Sequence, residues 1–164
     1  MSGGWIYNDG GRADAGYKGK AGDCVCRAIA IATGKPYKEV YDDLGVLAKA
    51  QKVTARTPSK KVSARDGVYR ATYQKYLESL GWKWVPTMRV GQGCTVHLNA
   101  KELPQGSIII RISKHMTAMI DGVIHDTYDP RRTSVFFEDG VKRIADRCVY
   151  GYFMREEATT WANL

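Results

Sequence analysis

Apolar positions recur at helical spacing three times in the first half of the chain and alternate in the second. Between Cys24 and Thr33, the residues Val25, Ala28, Ile29 and Ala32 fall on one face of a helix. Asp23 stands as a candidate N-cap, and Gly34 followed by Lys35-Pro36 marks the end. A second helix, from 35 to about 50, turns Val40, Tyr41, Leu44 and Leu47 inward. A third, over about 68–80, carries Tyr69, Tyr73, Tyr76, Leu77 and Leu80 at helical spacing, with Gly81 as its stop. After Gly81 the period changes. Residues 83–87 read as a short strand and 100–103 as a one-turn helix ahead of Pro104-Gln105-Gly106. Strands follow at 107–113, 114–120, 123–128, 135–138 and 148–153. The expectation is an α+β fold, N-terminal helices packed on a C-terminal antiparallel β-sheet, in a single domain over 1–164.

Two stretches fall outside this pattern. Residues 1–22 hold Gly3, Gly4, Gly10, Gly11, Gly16, Gly19 and Gly22, and read as an irregular lead-in pinned to the body by Trp5, Ile6, Tyr7 and Tyr17. Residues 49–66 have no apolar period and contain Thr57-Pro58-Ser59, so they read as a loop. Lys49, Lys52, Arg56, Lys60, Lys61 and Arg65 lie there, with no acidic residue from Lys49 to Arg65, and carry much of the +8 formal charge. Such density suits phosphates or an acidic protein, making nucleic acid or an acidic partner the candidate ligands. A solvated loop explains it equally, and no aromatic interleaves the run to signal base stacking.

No apolar run is long enough for a membrane span, and the first residues lack a basic region followed by an apolar stretch. A cytoplasmic protein without a secretory signal is expected. Cys24, Cys26, Cys94 and Cys148 show no framework spacing, which favours reduced thiols.

Cys24 carries the candidate chemistry. A cysteine in the first turn of a helix feels the positive end of the helix dipole, which favours the reactive thiolate. Its own backbone N–H is also placed to bind an oxyanion beside the sulfur. Cys26 lies about 200° further round the helix and reads as core.

The base comes from a hairpin. Asp121-Gly122 supplies a two-residue type I′ turn between alternating runs. That turn sets Ile120 against Val123, Ala118 against His125, Thr117 against Asp126 and His115 against Tyr128. His115, Thr117, Met119, Ile124, Asp126 and Tyr128 then share one face, and His125 falls on the other with Met116 and Ala118. A carboxylate beside His115 fixes its tautomer and leaves the other ring nitrogen to take a thiol proton. Cys24, His115 and Asp126 are therefore the candidate nucleophile, base and orienting group.

Other constellations are weaker. Cys94-x-x-His97 suggests half of a zinc site, but no second pair completes it, and no metal or other cofactor is expected. His125-Asp126 follows a hairpin turn, whereas metal-dependent phosphohydrolases use helical ligands. The tyrosines at 69, 73 and 76 read as core. Trp82 and Trp84 suit either a groove or a strand packed on a helix.

The segments Gly22-Asp23-Cys24-Val25-Cys26-Arg27-Ala28-Ile29-Ala30, Lys114-His115-Met116-Thr117-Ala118-Met119-Ile120-Asp121-Gly122 and Val123-Ile124-His125-Asp126-Thr127 resemble the papain-like cysteine peptidase superfamily, closest to its small bacterial and phage members. The likeness spans roughly 22–128. It implies a cysteine-nucleophile hydrolase or acyl-transferase acting on a peptide or amide bond of a peptide or protein substrate. Many members place a Gln before the nucleophile to complete the oxyanion hole, whereas Gln51, Gln74, Gln92 and Gln105 all follow Cys24. Tyr17, Lys18 or a lead-in backbone N–H is then the expected second donor beside the Cys24 N–H. The whole chain also resembles a phage-associated family, which implies a viral or prophage origin and no particular activity, with the host cytoplasm as the compartment. A non-catalytic binding protein on the same scaffold, working through its basic loop, is the alternative.

Overall fold

The computed structural model describes residues 4–52, 54–55, 63–131 and 134–156. Among them are three helices, α1 (Cys24–Thr33), α2 (Tyr37–Ala50) and α3 (Arg70–Ser79). Eight strands accompany them: β1 (Trp5–Tyr7), β2 (Trp82–Pro86), β3 (Ser107–Ile112), β4 (His115–Ile120), β5 (Val123–Asp126), β6 (Ser134–Glu138), β7 (Val141–Ala145) and β8 (Val149–Arg155). The fold is α+β. Six strands form one sheet in the order β1-β5-β4-β3-β8-β2, antiparallel except where β1 runs parallel to β5, while β6 and β7 pair apart from it.

The sheet has an apolar layer on each face. Period-two alternation sends Ile109, Met116, Ala118 and Phe153 towards the helices, where they meet Val25, Ile29, Val40, Leu44 and Leu77. Ile108, Ile110, Ile112, Met119 and Ile124 point the other way and are covered by Leu98 and Leu103. Fully burying each of those two leucines contributes about 1.5–3 kcal/mol. The covering segment is held by a Cys94–Cys148 disulfide, an antiparallel bridge between His97 and Cys148, and a 2.8 Å bond from Leu98 N–H to the Arg147 carbonyl.

That disulfide corrects the expectation of four reduced thiols. The fold of the β8 entry against the 94–98 segment brings the two Cα atoms to 5.8 Å, which spacing along the chain does not reveal. Cys24 and Cys26 are free.

Helix α1 has the expected bounds, and Gly34 closes it in the left-handed region at φ 75°, its N–H on the Ala30 carbonyl. Asp23 occupies the N-cap position but makes no capping hydrogen bond with its side chain, because ion pairs claim the carboxylate. Helix α2 begins only after Pro36, and α3 only after Tyr69. Residues 100–103 form turns instead of a helix, the Asn99 side chain accepting the N–H groups of Lys101 and Glu102. The lead-in is less irregular than expected, since it contains β1. Trp5, Ile6 and Tyr7 are exposed, so ladder hydrogen bonds to β5 hold this strand where apolar burial was expected to. Strand β7 was not anticipated.

No helix of the described residues is long and apolar enough to cross a membrane. Arg56, Lys60 and Lys61 of the basic loop lie outside the described residues. Lys49 and Lys52 are exposed, whereas Arg65 donates to the carbonyls of Lys18 and Lys20.

Candidate active site

The hairpin that carries His115 has the expected register. Ala118 pairs with His125, Met119 with Ile124 and Ile120 with Val123. Asp121 and Gly122 both take positive φ, 47° and 81°, as a type I′ turn requires. By parity His115 and Asp126 belong to the face away from the helices, while Cys24 opens α1 on the helix side. They meet because β4 starts at His115 and β5 ends at Asp126, so all three residues lie at one end of the sheet.

His115 Nε2 is 2.7 Å from Asp126 Oδ2, with both side chains almost fully buried. This leaves Nδ1 as the ring nitrogen available to the thiol of Cys24, with which the imidazole interacts. The Tyr128 ring lies 5.0 Å from the imidazole.

Each group is tuned by these contacts. Burial pushes the Cys24 thiol up, but His115, the Met116 backbone N–H and the positive charge of Arg27 outweigh it and hold the thiol below its ordinary value. Burial pulls the imidazole down, yet Asp126 and Cys24 override it and raise His115 to about 9. Burial also raises Asp126, and His115, the Thr117 hydroxyl and the Thr127 N–H more than reverse that. Cys26 behaves oppositely: burial pushes its thiol up to about 12, as befits a core cysteine.

A second buried carboxylate supports the first. Asp23, 1% exposed, ion-pairs with Arg12 at 3.2 Å and with Arg27, and accepts the Tyr37 hydroxyl at 2.5 Å. Arg27 reaches on to Asp126 Oδ1 at 4.0 Å. The Asp126 backbone carbonyl meanwhile accepts Asn8 N–H at 2.9 Å and Trp5 Nε1–H at 3.3 Å. Lead-in, α1 and α2 are thus tied to the carboxylate that orients His115.

The expected oxyanion donors fare unequally. The Cys24 N–H precedes the first α1 hydrogen bond, from Arg27 N–H to the Asp23 carbonyl at 3.0 Å, and so is not used by the helix. Tyr17 instead packs edge-on against Tyr37 and at a tilt against Tyr41, 5.1 and 4.6 Å between ring centres, and Lys18 is exposed with its carbonyl accepting from Arg12. Sequence reasoning placed Tyr128 opposite His115, as found, but missed Arg27 and Tyr73. Tyr73, read as core, is buried, and its hydroxyl feels the charges of Arg111, Arg70 and Cys24. An Arg four residues after a buried Asp was the available signal for Arg27.

His125 lies off the site, its Nδ1 3.2 Å from Asn8 Nδ2. The Cys94-x-x-His97 pair is also accounted for: Cys94 is disulfide-bonded and His97 Nδ1 lies 3.2 Å from Glu102. No cluster of His, Cys, Asp and Glu suited to a metal ion occurs among the described residues. The arrangement is chemically competent to generate a thiolate beside an imidazolium at the open end of a helix. No family model, curated protein or solved structure matches the chain.

Proposed function

We propose that the chain is a cysteine-nucleophile hydrolase or acyl-transferase acting on a peptide or amide bond, on a papain-like scaffold. The observation that carries this reading is His115, bound to Asp126 through Nε2 while it lowers the thiol of Cys24. The thiolate of Cys24 attacks the carbonyl carbon, forming a C–S bond and a tetrahedral oxyanion beside the Cys24 N–H. His115 gives its proton to the leaving nitrogen as the C–N bond breaks. It then takes a proton from water, which hydrolyses the thioester, or from an amine, which completes a transfer. Asp126 holds the imidazole in the required tautomer throughout. A cytoplasmic site of action goes with this reading.

The alternative, a non-catalytic protein that binds nucleic acid or an acidic protein through 49–66, has less support. Arg65 commits its guanidinium to the lead-in carbonyls.

The test is a fluorogenic peptide and amide library screened with the wild-type chain and with Cys24→Ala and His115→Ala. Turnover that falls at least about a thousandfold in both variants supports the reading. A chain that turns over no library member and whose Cys24 reacts with iodoacetamide like an ordinary thiol overturns it.

A further inference from the structure

Where β2, β3 and the entry to β8 meet α3, the surface opens into a cleft of about 400 Å³ lined by Arg70, Trp84, Arg111 and Tyr150. Its walls include Arg70, Arg89 and Arg111 together with Trp84 and Tyr150, and no acidic residue lines it among the described residues. None of the three arginines ion-pairs with a carboxylate among the described residues. Two lie instead against the aromatic walls, Arg70 4.8 Å from the Trp84 ring centre and Arg111 5.9 Å from that of Tyr150. Such stacking holds a guanidinium in place; Arg70 spends its Nε–H on Gln74 Oε1 at 3.4 Å, and the terminal N–H groups remain to face an anion.

The cleft is built, not incidental. The Trp84 indole lies over Gly151, where an added Cβ would come within 2.3 Å of the ring. Only glycine lets the indole lie down on the sheet as a wall. Trp84 also packs on Phe153 at 4.8 Å, which fixes it from behind.

The connection to the nucleophile is short. Arg111 pairs across the sheet with Met116, whose N–H faces the Cys24 thiol. The hydroxyl of the buried Tyr73 feels the charges of both Arg111 and Cys24.

Resting on the proposed peptide or amide chemistry, we infer that this cleft is a substrate subsite for a carboxylate, selecting peptides with an acidic residue near the bond attacked. The arginine forks bind the carboxylate, and Trp84 and Tyr150 exclude water from the contact. A peptide substrate supplies such a group from Asp, Glu or a chain end.

Binding is measured by fluorescence anisotropy on full-length Cys24→Ala. The probes are fluorescein-labelled, amidated Ala-Glu-Ala-Glu-Ala, its Gln and Lys counterparts, and a labelled ten-nucleotide oligothymidylate. The Glu peptide should bind at least about tenfold more tightly than the Gln peptide, and the Lys peptide more weakly still. Arg111→Gln, and independently the exposed Arg89→Gln, should each erase most of that preference, and Gly151→Ala should weaken it by displacing Trp84. Equal affinities for the Glu and Gln peptides overturn the subsite, as does a preference untouched in both arginine variants of unchanged melting temperature. Tighter binding of the oligonucleotide than of the Glu peptide overturns it in favour of a phosphate site. A Glu preference in a chain whose Cys24 proves inert would sink the catalytic reading and leave the subsite standing; turnover without the preference would do the reverse.

Discussion

Asp126→Asn keeps the shape of the side chain and removes the charge that keeps His115 protonated. The imidazole stands at about 9 in the folded chain against 6.5 for a free histidine. The gap, 9 − 6.5, or about 2.5 pH units, corresponds to about 3 kcal/mol favouring the imidazolium, shared between Asp126 and Cys24. Without the carboxylate, burial pulls the imidazole down and only the thiolate opposes it. If Asp126 supplies even half of the gap, the ratio of the thiolate–imidazolium pair to the neutral thiol–imidazole pair falls at least about tenfold. The assay is the second-order rate of iodoacetamide alkylation of Cys24 between about pH 5 and pH 9, read from the mass of the peptide that contains it. The wild-type rate should persist well below the ordinary thiol range. In Asp126→Asn it should fall at least about tenfold near pH 6 and rise again only towards the ordinary thiol pKa of about 8.5. Superimposable profiles for the two proteins would refute the coupling of Cys24 to Asp126 through His115.

Further outcomes follow from the same contacts. Asp23→Asn leaves the Arg12 and Arg27 guanidinium groups without their buried partner, and should cost about 3–5 kcal/mol in urea denaturation; a loss below about 1 kcal/mol would show that the ion pairs are replaced by water. Replacing Cys94 and Cys148 together by serine should lower stability by about 2–4 kcal/mol under non-reducing conditions, while Cys24 alkylation keeps its pH profile. In Cys24→Ser, which removes the competing thiol, the stability contributed by His115 should be full below about pH 6.5 and be lost as the pH rises through the folded value, about 9 in the intact site. Asp126, held below 3.8, contributes the opposite limb, present above 3.8 and lost on acidification below it. Urea midpoints that rise between pH 7 and pH 9 would contradict that sign.

The parts of the fold that were legible in the sequence are those fixed by neighbours in the chain. The α1 stripe and Gly34 specify a helix and its end within eleven residues, 24 to 34. Asp121-Gly122 specifies a turn, and the turn specifies which side chains share a face, so the partnership of His115 and Asp126 followed without a structure. The same signal at Asp139-Gly140, with φ of 52° and 74°, closes the β6–β7 hairpin and went unread because Lys142 and Arg143 break the apolar alternation of β7. What remained hidden depends on distant segments. Nothing within Trp5-Ile6-Tyr7 shows that it pairs with β5, and nothing near Cys94 points to Cys148. Asp23 misled for a related reason: its position marks a cap, but its carboxylate serves Arg12 from the lead-in and Tyr37 from α2.

Those distant contacts bear on the site itself. Asp126 holds His115 at 2.7 Å on one oxygen and faces Arg27 at 4.0 Å with the other. Arg27 in turn answers to Asp23, so its charge is divided between two buried carboxylates. A carboxylate balanced wholly by Arg27 would hold the imidazolium weakly, and Cys24 would keep its proton. One balanced by His115 alone would bind that proton too firmly for release to a leaving nitrogen. Asp23 holds Arg27 more closely than Asp126 does, which leaves His115 as the nearer cation to Asp126. The lead-in enters the same network through Arg12, which pairs with the other oxygen of Asp23. The glycine-rich segment is thereby linked, through Asp23 and Arg27, to the carboxylate that orients His115.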